Sequence, residues 1–241
     1  MSSVPLLLGH RGLRASRAQL LTKLFRRLPP ENSFAAFDLA LEQGAHGFEF
    51  DVRRTADDKA ILCHDAVVNH LHVGDCTLHE LRKAIPHLVT LDEVLARYSE
   101  RAFLNPELKV PGLEKQTVEF IHQHCTPEMY VISSFLPDVL TELAKLDSRI
   151  PLGYIFNQRQ NAGRWRELPV HYVFPSQPLA SEHLIDQAIK AGKRVIPWTV
   201  NSPRQMRHFV NCGVNGLITD DPALLVRTTL EHTQADLTPA D

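Results

Sequence analysis

The sequence is short of several things at once. No apolar run in its 241 residues approaches the ~20 that a membrane-spanning helix needs. Neither sign of charge predominates: 26 Lys and Arg stand against 28 Asp and Glu, a formal net charge of -2, so nothing calls for nucleic acid or another polyanion as partner. The four cysteines, Cys63, Cys76, Cys125 and Cys212, form no CxxC pair. That argues against a zinc site or a disulfide framework and for reduced thiols in the cytoplasm. The N-terminus, MSSVPLLLGHRG, has no basic leader and no cleavage site, and reads as a first core strand instead of a signal peptide. Linkers and low-complexity runs are missing too. Residues 1–241 therefore read as one domain, with a polar tail over 232–241 expected to fray.

What the sequence has is alternation. Nine short apolar runs are PLLLGH, GFEFDV, AILCHD, AFLNPEL, MYVISSF, PLGYIF, VHYVFPS, RVIPWTV and GLITD. Most are separated by amphipathic segments such as NSFAAFDLALEQG, TLDEVLARYSE and ASEHLIDQAIKAG. Several of these segments open on a capping residue or a first-turn proline, and three end at glycine. Strand–helix alternation implies a parallel sheet covered by helices. Nine strands are one too many for an eight-stranded barrel. The surplus lies in EFDVRRTADDKAILCHD, which lacks the dozen or so residues of a crossover helix. That stretch predicts an antiparallel hairpin turning at Asp57-Asp58, with Asp51 opposite His64. The other eight strands predict a single α/β (β/α)8 TIM barrel, the hairpin strand being extra.

In such a barrel, chemistry gathers at the C-terminal ends of the strands. The polar residues at those ends are His10 and Arg11; Glu49 and Asp51; His64; Asn105, Glu107 and Lys109; Ser133 and Ser134; and Trp198, Thr199 and Asn201. Glu49 and Asp51 sit on alternate positions of an apolar strand and so share a face, which is costly in an interior unless something neutralises them. With Glu107 they offer all-oxygen ligation to a hard divalent cation. His10 and His64 suit acid–base work near neutral pH, and Arg11 and Lys109 suit a phosphate. Asn105 and Trp198 are supporting candidates, Trp198 as a pocket wall. Cys63 neighbours His64 but points to the other face of its strand, so it is not expected to act as a nucleophile. The set predicts metal-assisted phosphoryl chemistry.

The motifs GHRG at 9–12, PENS at 30–33, GAHGFEFDVRRTADD at 44–58 and HD at 64–65 are followed by LNPELK at 104–109, ISSF at 132–135, WTVN at 198–201 and GVNGLITDDP at 213–222. In this order they resemble the glycerophosphodiester phosphodiesterase family. The resemblance implies a phospholipase-C-like TIM barrel that hydrolyses small-molecule glycerophosphodiesters to glycerol 3-phosphate and an alcohol. It implies an acid–base pair in His10 and His64, and one divalent cation, Mg²⁺ or Ca²⁺ with Mn²⁺ admitted, on Glu49, Asp51 and Glu107. Arg11 and Lys109 would contact the substrate phosphate, with Glu31 setting Arg11 or the metal.

The chain departs from the family pattern in two places. Seventeen residues, LRASRAQLLTKLFRRLP, separate Gly12 from Pro30 where the family has a handful. They carry Arg14, Arg17, Lys23, Arg26 and Arg27 and no acid, with Leu20, Leu21, Leu24, Phe25 and Leu28 at helical spacing. This basic amphipathic insertion, 13–29, is expected to pack as a lid over the site; peripheral membrane contact through 13–28 is the competing reading. Further on, only twenty-five residues separate Asp65 from Leu91, a shortened excursion that leaves the alcohol half of the substrate open. His46 stands where the family often has Asp, on the approach to a strand and away from the chemistry. A lysophospholipase D on the same site, a cyclising phosphodiesterase and a catalytically silent barrel used as a binding module are the alternatives.

Overall fold

The computed structural model describes residues 5–14 and 28–237, and the predicted lid-or-membrane helix lies almost wholly outside the described residues. In chain order the strands are β1 (Leu6–His10), β2 (Gly47–Arg54), β3 (Ala60–Leu62), β4 (Val67–Val68), β5 (Leu71–His72), β6 (Phe103–Leu108), β7 (Ile132–Ser134), β8 (Leu152–Phe156), β9 (Tyr172–Pro175), β10 (Arg194–Val195) and β11 (Gly216–Thr219). The helices are α1 (Phe34–Glu42), α2 (Leu78–Ala84), α3 (Leu91–Tyr98), α4 (Glu114–His124), α5 (Pro137–Leu146), α6 (Glu182–Lys190), α7 (Pro203–Asn211) and α8 (Pro222–Leu237). All nine predicted strands are present. No described helix is long and apolar enough to cross a membrane.

Eight strands run parallel in the order β10-β9-β8-β7-β6-β2-β1-β11. The ring closes between β10 and β11 through Asn215 N to Val195 O (2.9 Å), Ile218 N to Pro197 O (3.1 Å) and Val200 N to Ile218 O (2.8 Å). This is the TIM barrel. Period-two alternation along the strands divides its core in two. Leu8, Phe103, Val131, Ile155, Ile196 and Ile218 fill the interior, while Leu7, Phe48, Leu104, Ile132, Val173 and Leu217 face outward beneath the helices. There Phe37 of α1 stacks on Phe48 with ring centroids 4.0 Å apart.

Local signals fix the helices. Ser33, Thr90, Ser181 and Ser202 cap α1, α3, α6 and α7 with their side chains, and α5 and α7 open on proline. Gly44, Gly192 and Gly213, with positive φ, stop α1, α6 and α7. The helix α8 runs on to Leu237, into the segment expected to fray.

The extra hairpin is there, with a different register. Val52 pairs with Leu62 and Arg54 with Ala60, and Cys63 N donates to Asp51 O at 3.0 Å. The residue opposite Asp51 is thus Cys63, not His64. The cause is the loop. Thr55 pairs with Lys59 (Thr55 N to Lys59 O, 3.1 Å), leaving Ala56–Asp58 as a three-residue connection with Asp58 left-handed at φ 56°. The turn is centred on Asp57 and not between Asp57 and Asp58. One edge of β2 is accordingly shared: β1 occupies it at 47–49 and β3 at 52–54. A small hairpin, β4–β5, turns at Asn69-His70, both left-handed, and with α2 builds the short excursion beside His64.

Candidate active site

The inward-facing rows change character towards the C-terminal ends of the strands. His10 follows Leu8, Asn105 and Glu107 follow Phe103, Asn157 follows Ile155, Trp198 follows Ile196 and Asp220 follows Ile218. A cavity of about 250 Å³ opens there. Its polar lining includes His10, Arg11, Glu49, His64, Glu107 and Lys109, and Phe135, Phe174 and Trp198 form its aromatic wall. The Trp198 ring stands edge-on to Phe135 and donates its Nε1–H to Phe174 O at 3.0 Å.

Below the opening, Glu49, Asp51 and Glu107 bring carboxylate oxygens within 4.8 Å of one another, all three side chains being buried. Two cations lie among them. Lys109 Nζ is 2.7 Å from Glu107 Oε1 and 3.2 Å from Asp51 Oδ1. The Arg11 guanidinium reaches Asp51 Oδ2 through Nε at 3.0 Å and Glu31 Oε1 at 2.6 Å. Glu31 takes Arg14 as well, at 2.7 Å. Asn32 clamps Asp51 twice: its Nδ2 donates to Oδ2 at 2.9 Å, and its Oδ1 accepts from Asp51 N at 3.2 Å. The clamp depends on an unusual backbone. Arg11 and Asn32 are both left-handed, with φ of 53° and 54°, and Asn32 N donates to Arg11 O at 3.1 Å. In the GHRG turn, a Cβ on Gly9 would lie 1.9 Å from Gly12 O, so only glycine lets the chain fold back this tightly.

Charge is unevenly shared. Burial, then repulsion from Asp51 and Glu107, pushes the Glu49 carboxyl well above its ordinary range. Burial and Asp51 raise Glu107 to about 7. For Asp51, burial is outweighed by Arg11 and Lys109, which hold it below the usual carboxylate value. Glu49 Oε1 is buried with no hydrogen-bond partner among the described residues. Three buried carboxylates, one with an unpartnered oxygen, and no nitrogen or sulfur donor in the group fit one hard divalent cation.

Each histidine is held by a carboxylate. His10 Nδ1 lies 2.7 Å from Asp220 Oδ1, while its Nε2 is 3.9 Å from Glu49 Oε2. His64 Nδ1 lies 2.7 Å from Asp65 Oδ1, and Arg53 Nε donates to His64 O at 2.8 Å. His64 sits just past the end of β3 and reaches the cavity from the rim; burial pushes its imidazole below the ordinary value. It also borders a second hollow of about 170 Å³, with Glu31, Ile85 and His87.

The sequence-predicted residues His10, Arg11, Glu49, His64, Asn105, Glu107, Lys109 and Trp198 all line the main cavity, and Asp51 and Glu31 touch its cations. Ser133, Ser134, Thr199 and Asn201 do not line it. Sequence reasoning missed Asp220, Asn32 and Phe135 as site groups. Asp220 ends the predicted strand GLITD, the same signal that singled out the others. Burial raises the Cys63 thiol to about 11, which disfavours the thiolate a nucleophile needs. His46 is remote, accepting from Leu7 N at 3.1 Å near the start of β1.

Residues 10–224 match the model of the glycerophosphoryl diester phosphodiesterase family. The chain belongs to that family. A glycerophosphodiester phosphodiesterase from Caldanaerobacter subterraneus subsp. tengcongensis is 30% identical over 222 residues, covering 82% of this chain and 91% of that one. The solved glycerophosphodiester phosphodiesterase from Thermotoga maritima matches with a TM-score of 0.75 at 26% identity, over 92% of this chain and 97% of that one. A phosphodiesterase from Oleispira antarctica, solved in complex with the product sn-glycerol-3-phosphate, has the same fold, with a TM-score of 0.77 at 23% identity over 95% and 97% of the two chains. Family membership makes this protein an enzyme, a phosphodiesterase on a TIM barrel.

Proposed function

We propose that the enzyme hydrolyses glycerophosphodiesters to glycerol 3-phosphate and an alcohol, with one divalent cation and with His10 and His64 moving the protons. The observation that carries this reading is convergence on one cavity. Two carboxylate-backed imidazoles, three buried carboxylates and the cations Arg11 and Lys109 meet there. The product bound to the Oleispira relative supports the substrate class.

A cation on Glu49, Asp51 and Glu107 would supply charge neutralisation and Lewis-acid polarisation of the phosphoryl group. The chain's own groups do the rest. Arg11 and Lys109 offer N–H donors to the non-bridging oxygens. Asp220 and Asp65 accept the Nδ1–H of His10 and His64, which fixes each tautomer and leaves each Nε2 to exchange a proton. One Nε2 takes a proton from the attacking water as its oxygen bonds to phosphorus, and the other gives one to the departing alcohol as its P–O bond breaks. The aromatic wall of Phe135, Phe174 and Trp198 takes the apolar part of the substrate. Arg14, held on Glu31 at 2.7 Å, brings the described start of the insertion to the site. The proposed setting is the cytoplasm.

Release of glycerol 3-phosphate from glycerophosphocholine, -ethanolamine and -inositol and from a lysophospholipid, each with Mg²⁺, Ca²⁺, Mn²⁺ or chelator, tests the reading. Chelator-sensitive cleavage of the water-soluble diesters is expected. Cleavage of the lysophospholipid alone would replace it with a lysophospholipase D, and a cyclic product in the phosphorus NMR spectrum would replace hydrolysis with cyclisation. Silence on the whole panel would overturn it.

A further inference from the structure

Positions 49 and 51 of β2 and 105 and 107 of β6 form a two-by-two grid on the inner wall. The strands are parallel and in register, Glu49 beside Asn105 and Asp51 beside Glu107. Alternate positions on each strand share a face, and all four side chains are buried. Three corners are carboxylates. The fourth is an amide.

The orientation of that amide is determined by its neighbours. One end of the Asn105 side chain lies 3.0 Å from Val131 O and 2.7 Å from Ser133 Oγ. A backbone carbonyl can only accept, so the atom facing it is Nδ2 and the amide cannot be flipped. Both contacts lie on the β7 side, and Oδ1 is turned away from them. Asn105 lines the cavity, is fully buried, and its Oδ1 has no hydrogen-bond partner among the described residues. A buried acceptor left unpaired is costly, and such groups in native folds point to a ligand or an ion.

We propose that Asn105 Oδ1 is a fourth protein oxygen for the divalent cation, a neutral ligand completing the grid of Glu49, Asp51 and Glu107. Hard cations take six or more oxygens and accept amide carbonyls among them. A carbonyl at this corner adds an oxygen without adding a fourth like charge to a cluster that already repels Glu49. The tie to Val131 and Ser133 holds that oxygen in place before the ion arrives.

The proposal rests on the three carboxylates being the cation site, and the test separates the two. Calorimetric titration of the whole protein with Ca²⁺ and with Mg²⁺ compares wild type with Asn105→Leu, which is nearly isosteric, and Asn105→Ala. Luminescence lifetimes of bound Eu³⁺ in H₂O and D₂O count the waters on the ion. Loss of the ligand is expected to weaken divalent binding roughly tenfold or more and to add about one water to the ion. Ser133→Ala loosens the same tie without removing the oxygen, and is expected to keep the wild-type water count. An unchanged water count in the Asn105 variants, or the same gain in Ser133→Ala, would overturn the proposal whatever the affinities do. Wild-type protein that binds no divalent ion would instead overturn the carboxylate site itself.

Discussion

His10 and His64 each have one ring nitrogen on a carboxylate 2.7 Å away, so both rings are presented to the cavity in a fixed sense. Replacing either by Ala is expected to lower kcat by roughly 10²–10⁴ while the circular dichroism spectrum stays native. Asp220→Asn keeps a polar group on His10 Nδ1 but allows the wrong tautomer, and should cut kcat by roughly a hundredfold or more with KM little changed; steady-state kinetics on glycerophosphocholine decide. The raised Glu107 carboxyl gives a signed prediction. Its proton, held up to about pH 7, must leave before a cation can bind. Divalent affinity should therefore rise from pH 6 to 8 and binding should release protons, as calorimetry in buffers of different ionisation enthalpy would show. These acids and imidazoles were legible because strand parity and position at a strand end are local properties. The partnerships were not: Asn32 meets Asp51 across 19 residues and Asp220 meets His10 across 210, and no local pattern encodes which distant polar group will arrive.

Among the elements, a cap made a helix readable only where enough residues followed it to show a period. Thr90 and Glu93 form a capping box at α3, and the segment TLDEVLARYSE announced it. Thr90→Ala should cost about 1 kcal/mol in urea denaturation and leave activity unchanged. The same box, Thr77 with Glu80, opens α2, but its seven residues inside a short excursion carry too weak a period to stand out. The strands β4 and β5, two residues each, are below what alternation can reveal. The hairpin register turned on a single residue: a loop of three in place of two moves every pairing by one position, and hydrophobicity around Asp57-Asp58 does not distinguish them. His64 still reaches the cavity because it lies beyond the paired part of β3, where register no longer dictates direction.

At the scale of the molecule, alternating strands and helices specified the barrel, and the surplus strand identified the hairpin. A cation held between β2 and β6, as proposed, would join two neighbouring strands and bind only the native arrangement. At a hundred times its dissociation constant it should stabilise the fold by about 2.7 kcal/mol and raise the melting temperature by roughly 5–10 °C. Differential scanning calorimetry with and without chelator checks this, and Glu49→Gln should abolish the shift.

The seam between the last strand and the first gives the site an order in time. The three carboxylates, Glu49, Asp51 and Glu107, all belong to the first half of the chain, but the acid that fixes His10 stands at the end of β11, 210 residues later. A nascent polypeptide leaving the ribosome therefore carries every carboxylate of the proposed cation site long before it carries a complete His10–Asp220 couple. The proposed proton transfer waits for the final strand to shut the ring, so a chain cut short before β11 would hold the three carboxylates without the partner that aligns His10.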